Sequence, residues 1–154
     1  MIYSDPQLPS LLGEVRDEVF AVIHLNRSAK YYLAGEFELG RHHLHQMVDF
    51  YNKTIELKTD WLIDWMVHLA FETQNGKPYQ FIDWIFDNLP AQTTTLQPLR
   101  RRAHGRYHTA AAFAAYQKQQ KKEVRRHILP ALWGDPAIIR NRGFLSISLR
   151  GLIA

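Results

Sequence analysis

The sequence predicts an all-α protein in which about six or seven helices stack as irregular hairpins. Apolar residues recur at helical spacing in successive segments of the 154 residues, and glycine or proline ends most of these segments. The clearest hairpin is an alanine-rich segment, a polar turn and a second amphipathic segment between about residues 96 and 133. Residues 145–149 alternate like a strand, but the chain offers no second strand to pair with them, so a helix is predicted there as well.

The N-terminal third is predicted to be a flexible arm followed by two helices. Residues 1–10 contain two prolines and show no periodicity, whereas residues 11–154 are predicted to form a single domain. The first two helices are expected over about residues 11–35 and 38–53. The apolar residues that share one side of the second helix are Leu44, Met47, Val48 and Tyr51.

Two shorter helices are predicted in the middle of the chain. The third begins at Thr59 or Asp60, either of which can cap it, and so few of its positions are polar that we place it at the centre of the core. Pro78 suits the first turn of the fourth helix, because the backbone N–H is unpaired at that position in any case. Pro90 ends this helix.

The last part of the chain is predicted to hold the hairpin and a C-terminal helix. A fifth helix over about residues 96–119 carries small residues that let a neighbouring helix approach closely. These residues are Ala103, Gly105, Ala110, Ala111, Ala112, Ala114 and Ala115. The sixth helix, over about residues 123–133, is the partner and is expected to be kinked or tightened near Pro130.

Charge is distributed unevenly along the chain. Residues 1–90 hold 13 acidic and 7 basic side chains, whereas residues 91–154 hold 2 acidic and 12 basic ones. This polarity indicates an acidic partner for the C-terminal half, such as lipid headgroups, nucleic acid or a protein surface, unless the two halves neutralise each other within the fold. The sequence has no cysteine, no apolar run of transmembrane length and no visible secretory leader, which favours a reducing cytoplasm.

Two segments match the tetratricopeptide pattern of small and large residues on paired helices. The C-terminal match places His108, Ala111, Ala112, Ala115, Val124, Ile128 and Pro136 at its positions. The N-terminal match places His24, Arg27, Ser28, Tyr31, Gly40, Leu44 and Asn52 at the same positions. A partial third match ends at Pro90, so the end points are 38 and then 46 residues apart, against about 34 in regular arrays. Any repeats are therefore irregular.

The end of the chain is the segment HILPALWGDPAIIRNRGFLSISLRGLIA. Its distinctive residues are Arg140, Asn141, Arg142, Gly143, Ser146 and Ile147, preceded by His127, Ala131 and Pro136. On these residues, the segment resembles the C-terminal region that follows the catalytic domain in many bacterial, especially cyanobacterial, family 2 glycosyltransferases. It implies a tetratricopeptide-like helical region tethered to a glycosyltransferase domain. The sequence has neither the Asp-x-Asp element nor the Gly-rich turn of such a catalytic domain, so the chain alone is not expected to transfer sugars.

The predicted binding residues are basic and lie in the C-terminal half. They are Arg100, Arg101, Arg102, Arg106, Lys121, Lys122, Arg125, Arg126, Arg140 and Arg142. Clustered guanidinium and ammonium groups of this kind can neutralise the phosphates of lipids or nucleic acids. The stretch has no helix-turn-helix signature and no interleaved exposed aromatic residues, which argues against sequence-specific reading of DNA.

Histidines suggest a metal site, but the favoured interpretation is surface or hydrogen-bonded imidazoles. His104 and His108 are four residues apart on one helix face, a spacing that can chelate zinc. A working site also needs a carboxylate or another histidine nearby, and the sequence contains no His-Glu-x-x-His string. We therefore predict no metal and no cofactor, with His104 and His108 as the weak candidates.

Two further groups of residues have a functional and a structural interpretation. Trp61, Trp65 and Trp84 could form a face on which sugars stack, but their strongly apolar helices favour packing in the core. Asp60 and Asp64 are one helical turn apart, as paired catalytic carboxylates can be, but a helix N-terminus explains Asp60 better.

These features predict a non-catalytic interaction or scaffold module. By the resemblance, it would dock a partner protein, the acceptor or an anionic membrane surface beside a tethered glycosyltransferase domain. We expect it to be cytoplasmic or peripheral to a membrane. Two alternatives stay open: a helical protein that binds nucleic acid through its basic C-terminal half, and a small histidine-dependent metalloenzyme.

Overall fold

The protein is all-helical in the computed structural model, which describes residues 8–54, 59–72 and 78–153. The α-helices in these ranges are α1 (Leu8–Leu33), α2 (Phe37–Thr54), α3 (Thr59–Glu72), α4 (Pro78–Asp87), α5 (Leu99–Gln117), α6 (Lys121–Gly134) and α7 (Arg142–Ile153). Two 3₁₀ helices, Ala91–Leu96 and Pro136–Arg140, precede α5 and α7. The predicted all-α class and helix number are confirmed, and the segment over residues 145–149 is helical.

The helices lie within a few residues of their predicted bounds. Helix α1 begins at Leu8, and residues 1–7 of the predicted arm lie outside the described residues. Helix α5 begins at Leu99 instead of residue 96, because the chain first coils into the 3₁₀ helix Ala91–Leu96 and Pro98 then precedes the α-helix. Helix α6 continues past Pro130 and ends at Gly134.

The chain divides into two compact units, and the division falls within α4. The first unit comprises Met1–Lys58 and Trp84–Thr94, and the second comprises Thr59–Asp83 and Thr95–Ala154.

The first unit contains the hairpin formed by α1 and α2. The predicted inner side of α2 is confirmed for Leu44, Met47 and Val48, which are fully buried, while the side chain of Tyr51 lies outside the described residues. The hairpin is tied by the buried hydroxyl of Ser28, which donates to the carbonyl of Gly40 at 2.9 Å. A Cβ atom on Gly40 would lie 2.9 Å from the ring of Trp84, so a larger residue there would require this ring to shift.

The second unit is built on α3, α5, α6 and α7. The buried residues of α3 are Leu62, Ile63, Met66, Val67, Leu69 and Ala70, in agreement with its predicted core position. The cluster between α5, α6 and α7 consists of Ala112, Ala115, Val124, Ile128, Ala131, Ile138, Phe144 and Ile147. Helices α5 and α6 approach closely at Gly105 and Gly134, where a Cβ atom on Gly105 would lie 2.6 Å from the carbonyl carbon of Gly134. Small residues on α5 therefore allow close helix packing, as predicted.

The hairpins α1–α2 and α5–α6 have the same turn. Gly35 and Gln119, 84 residues apart, have φ angles of +76° and +58°. Three backbone hydrogen bonds close each turn, and their donors are Ala34, Gly35 and Glu36 in the first hairpin and Lys118, Gln119 and Gln120 in the second. The acceptor residues of the second turn likewise lie 84 residues after the corresponding acceptors of the first turn. This is also the displacement between His24 and His108, which begin the two tetratricopeptide matches.

Candidate interaction surface

Arg100 and Arg101 are held by groups within their own unit. The Nε and Nη2 atoms of Arg100 donate to one carboxylate oxygen of Asp83, at 2.9 and 2.6 Å. Arg101 donates to the backbone carbonyl of Trp133 at 2.8 and 2.5 Å, and its guanidinium lies 5.0 Å from the centre of the Trp133 ring. Both guanidinium groups are therefore engaged by acceptors within the fold.

Arg102 and Arg106 form an ion-pair network with three carboxylates. Arg106 lies 2.9 Å from Asp135, 3.5 Å from Asp64 and 3.6 Å from Asp60, and Arg102 lies 2.5 Å from Asp60. Asp135 is only 5% exposed, so its carboxylate is buried beside the guanidinium of Arg106. Asp60 and Asp64 thus serve as ion-pair partners of arginines on α5. The network joins α3, α5 and the residue that follows α6.

His104 and His108 do not converge on a common point. His104 places Nε2 2.9 Å from Asp83, whereas His108 places Nδ1 2.8 Å from Nδ1 of His127. Burial raises the pKa of the Asp83 carboxyl, but hydrogen bonds from Arg100 and His104 outweigh this effect and leave the pKa below its ordinary value. Within the described ranges, no group of three or more metal-ligating side chains is gathered in one place.

The tryptophan side chains are more exposed than the predicted packing in the core implies. Trp61, Trp65 and Trp84 are half-buried, and the rings of Trp61 and Trp65 stack with centroids 6.4 Å apart. Trp133 is 76% exposed, and with Leu129, which is 74% exposed, it lines an apolar depression on α6. The sequence interpretation did not consider either of these two residues as part of a surface.

The other predicted binding residues form two groups, one on α6 beside the end of α7 and one at the beginning of α7. Lys121 and Lys122 begin α6 and are exposed, and Arg125 donates its Nε hydrogen to the carbonyl of Gly151 at 2.5 Å. This bond places the start of α6 beside the end of α7, where Arg150 lies. Exposed Arg126 is 3.8 Å from Glu123 on the same helix. The exposed residues Arg140 and Arg142 lie at the beginning of α7.

A cleft opens where α5 ends, α6 begins and α7 ends. Its volume is about 770 Å³, and we call it the turn cleft. The described residues that line it are Tyr116, Gln117, Gln119, Lys121, Val124, Arg150 and Gly151. Two cations, a phenol and two amides thus surround the apolar side chain of Val124, and none of these lining residues is acidic. Arg150 donates from Nη1 to the hydroxyl oxygen of Tyr116 at 2.9 Å.

Sequence reasoning missed Arg150 and Tyr116 as site residues. They are 34 residues apart in the chain, and neither belongs to a run of basic residues. The position of Arg150 in the last turn of a predicted helix is the one available signal, because cations there interact favourably with the helix dipole. The contact with Tyr116 depends on how α7 packs against α5.

No described helix is both long and apolar enough to cross a lipid bilayer. Comparison with family models, with curated proteins and with solved structures gives no match to this chain.

Proposed function

We propose that this chain is a non-catalytic interaction module that docks an acidic partner through the cationic end of α5, α6 and α7. One observation carries the proposal: Lys121 and Arg150 face a cleft whose described lining contains no carboxylate. Arg102 and Arg106, by contrast, already have carboxylate partners. Positive charge is therefore available to a partner at the turn cleft, and the exposed Lys122 continues it along the start of α6.

The acidic side chains of the C-terminal half, residues 91–154, do not neutralise the positive charge at the turn cleft. The half contains two of them, Glu123 and Asp135. Asp135 is buried against Arg106, and Glu123 lies 3.8 Å from Arg126. An acidic partner would therefore gain Coulomb attraction that is not already satisfied by these two groups, and this attraction weakens as salt is added.

The repeated hairpin supports a scaffold of tetratricopeptide character. In α1–α2 and α5–α6 the turn, its hydrogen bonds and the residue with positive φ recur at equivalent positions. Proteins built from repeated helical hairpins commonly use them as surfaces for binding. In keeping with the resemblance of the C-terminal segment, we propose that the module serves a family 2 glycosyltransferase domain. We place it in the cytoplasm, which fits a sequence without cysteine.

The test measures binding of three labelled probes by fluorescence anisotropy over a range of salt concentrations. The probes are a glutamate-rich peptide, the same peptide with glutamine in place of glutamate, and a single-stranded oligonucleotide. We expect the glutamate peptide to bind, to lose affinity with salt, and to bind more tightly than the other two. Lys122→Glu should weaken this binding, whereas Arg41→Glu, a change at an exposed position of α2, should not.

Two results would overturn the proposed function. One is the absence of glutamate-peptide binding at low salt. The other is tighter binding of the oligonucleotide with a steep salt dependence, which would instead support the nucleic-acid alternative.

A further inference from the structure

We infer that the turn cleft binds the carboxylate side chain of an acidic peptide segment, and that Arg150 and Tyr116 together receive it. This assignment of a ligand class rests on the interaction function proposed above. It adds a specific binding site, two residues that the sequence did not indicate, and a single kind of occupant.

The hydrogen bond between Arg150 and Tyr116 prepares both groups for an anion. A guanidinium has five N–H donors in a planar arrangement, and the bond to Tyr116 uses one of them, on Nη1. The bond also fixes the direction of a side chain that is otherwise exposed. The remaining donors can form the paired hydrogen bonds that a carboxylate accepts.

Tyr116 contributes a second donor in the same place. Its hydroxyl oxygen accepts the hydrogen from Arg150, so its own hydrogen can be donated to another oxygen. The phenol is half-buried at the end of α5, which limits the positions this donor can take. Lys121, another lining residue, adds a positive charge without a fixed geometry.

The floor and rim of the cleft suit a peptide. Val124 is buried in the floor, and a Cβ atom on Gly151 would lie 3.0 Å from its Cγ1 atom, so the floor is closed by direct packing. Gln117 and Gln119 each present an amide that can both donate and accept, as peptide groups do. An acidic residue beside an apolar one would therefore match the cations, the amides and the floor.

The shape of the cleft favours a peptide segment over a membrane or a nucleic acid. Its volume of about 770 Å³ lies within the range of about 300–1,000 Å³ that is usual for sites enclosing a small ligand. A lipid surface is contacted by an exposed basic face, and single-stranded nucleic acid needs a basic groove with several stacking aromatic residues. Tyr116 is the one aromatic residue among the described lining residues.

Arg125 has a supporting role and is not a ligand. Its Nε hydrogen is donated to the carbonyl of Gly151, which holds the end of α7 against α6. Because Arg150 precedes Gly151, this bond positions the backbone from which Arg150 reaches the cleft. Replacement of Arg125 would change the cleft indirectly, so it is a poor choice for the test.

The test uses titration calorimetry with a short peptide in which glutamate alternates with leucine, and with its glutamine counterpart. We expect Arg150→Gln to weaken binding of the glutamate peptide about tenfold, because the charge-assisted hydrogen bonds between the guanidinium and the carboxylate are lost. Tyr116→Phe should weaken it a few-fold by removing the hydroxyl. Arg41→Gln is the matched control, because this exposed arginine of the other hairpin should leave the affinity unchanged.

Thermal unfolding of each variant confirms that it is folded, and amide chemical shifts locate the bound peptide. We expect the shifts on binding to concentrate at residues 116–121 and 150–151. If the wild-type protein binds the peptide while Arg150→Gln and Arg41→Gln bind equally well, the cleft assignment fails and the interaction function stands. If the wild-type protein binds no acidic peptide, the interaction function itself fails.

Two competitors distinguish the source of the anion. Inorganic phosphate should displace the peptide only at much higher concentration, and vesicles containing anionic lipid should not compete through Arg150. Displacement by phosphate as effective as that by unlabelled peptide would overturn the peptide assignment. So would vesicle binding that Arg150→Gln abolishes.

Discussion

His108 of α5 and His127 of α6 face each other through their Nδ1 atoms, which are 2.8 Å apart. The same contact recurs at 3.0 Å between His24 of α1 and His43 of α2. In both hairpins the partners are 19 residues apart, and the two pairs are displaced by the 84 residues that relate the turns. An imidazole pair of this kind needs one donor and one acceptor, so two imidazolium ions would repel each other across the hairpin.

Acid should destabilise the protein between about pH 6.5 and pH 4. Burial first, and then the charges of His127, His104 and Arg126, lower the pKa of His108 from 6.5 to about 4. Burial is also the largest cause of the lowered pKa values of His24, His43 and His127. In this range the unfolded chain binds more protons than the folded one, so the free energy of unfolding falls as the pH falls.

Urea unfolding at several pH values measures this effect. The stability should be complete above pH 6.5 and decrease steadily towards pH 4. The Asp83 carboxyl, whose pKa is lowered, would contribute a loss only at still lower pH, below its ordinary value of 3.8. A free energy of unfolding that is constant between pH 7 and pH 4.5 would contradict the prediction.

Replacement of one histidine of the second pair should reduce the pH dependence. In His127→Gln the amide can still hydrogen-bond to Nδ1 of His108, but one titrating group is lost and the remaining imidazole can be protonated without facing a second charge. The slope of the unfolding free energy against pH should therefore become smaller. His45→Gln, a change at an exposed histidine of α2, is the control and should leave the slope as in the wild-type protein.

Gln119→Gly should stabilise the protein. Gln119 has a φ angle of +58°, which is unfavourable for a residue with a Cβ atom, and the equivalent residue of the first hairpin is Gly35. Relief of the left-handed conformation should increase the free energy of unfolding by about 1 kcal/mol. Gln117→Gly, two residues earlier in the last turn of α5, should instead decrease it, because glycine is unfavourable in a helix. Chemical denaturation distinguishes these opposite signs.

Gly105→Ala should destabilise the protein strongly. The added Cβ atom would lie 2.6 Å from the backbone of Gly134, which cannot rotate away as a flexible side chain can. Separation of α5 and α6 by the added methyl group should cost about 1–3 kcal/mol. Gly143→Ala, near the start of α7, meets only side-chain atoms at 3.2 Å or more and should have little effect. Equal stability of the two variants would show that α5 and α6 do not pack this closely.

The helices could be predicted from the sequence because their signals are local. Spacing of apolar residues and the positions of glycine and proline are sufficient to place α2 and α3 within a few residues, and to predict that residues 145–149 are helical. The buried face of α1 could not be predicted in this way. Val15 and Val19 are 58% and 50% exposed, whereas Ser28 is buried because its hydroxyl reaches the carbonyl of Gly40. Hydropathy ranks the valines as the better core residues, whereas a hydrogen bond to α2 accompanies the burial of the serine.

The candidate site was harder to predict because it depends on contacts that are distant in sequence. The run Arg100–Arg102 appears as one basic patch in the sequence, but its members bind Asp83, the carbonyl of Trp133 and Asp60. The acidic partners come from α3 and α4, so the packing of helices decides which cations stay exposed. The same packing brings Arg150 to Tyr116.

Arg106→Ala should cost more stability than removal of an exposed arginine. Asp135 is 5% exposed and lies 2.9 Å from Arg106, while its other arginine neighbour, Arg102, is 4.0 Å away. Loss of Arg106 would leave a buried carboxylate with a weak partner, and we expect a cost of about 2–4 kcal/mol. Arg126→Ala removes a largely exposed arginine 3.8 Å from Glu123, and such pairs contribute about 0–1 kcal/mol.

Unfolding by urea at pH 7 compares the stability of the two variants. The double variant Arg106→Ala with Asp135→Asn should recover part of the lost stability, because the buried charge is then absent. If Arg106→Ala is no less stable than Arg126→Ala, Asp135 does not depend on Arg106.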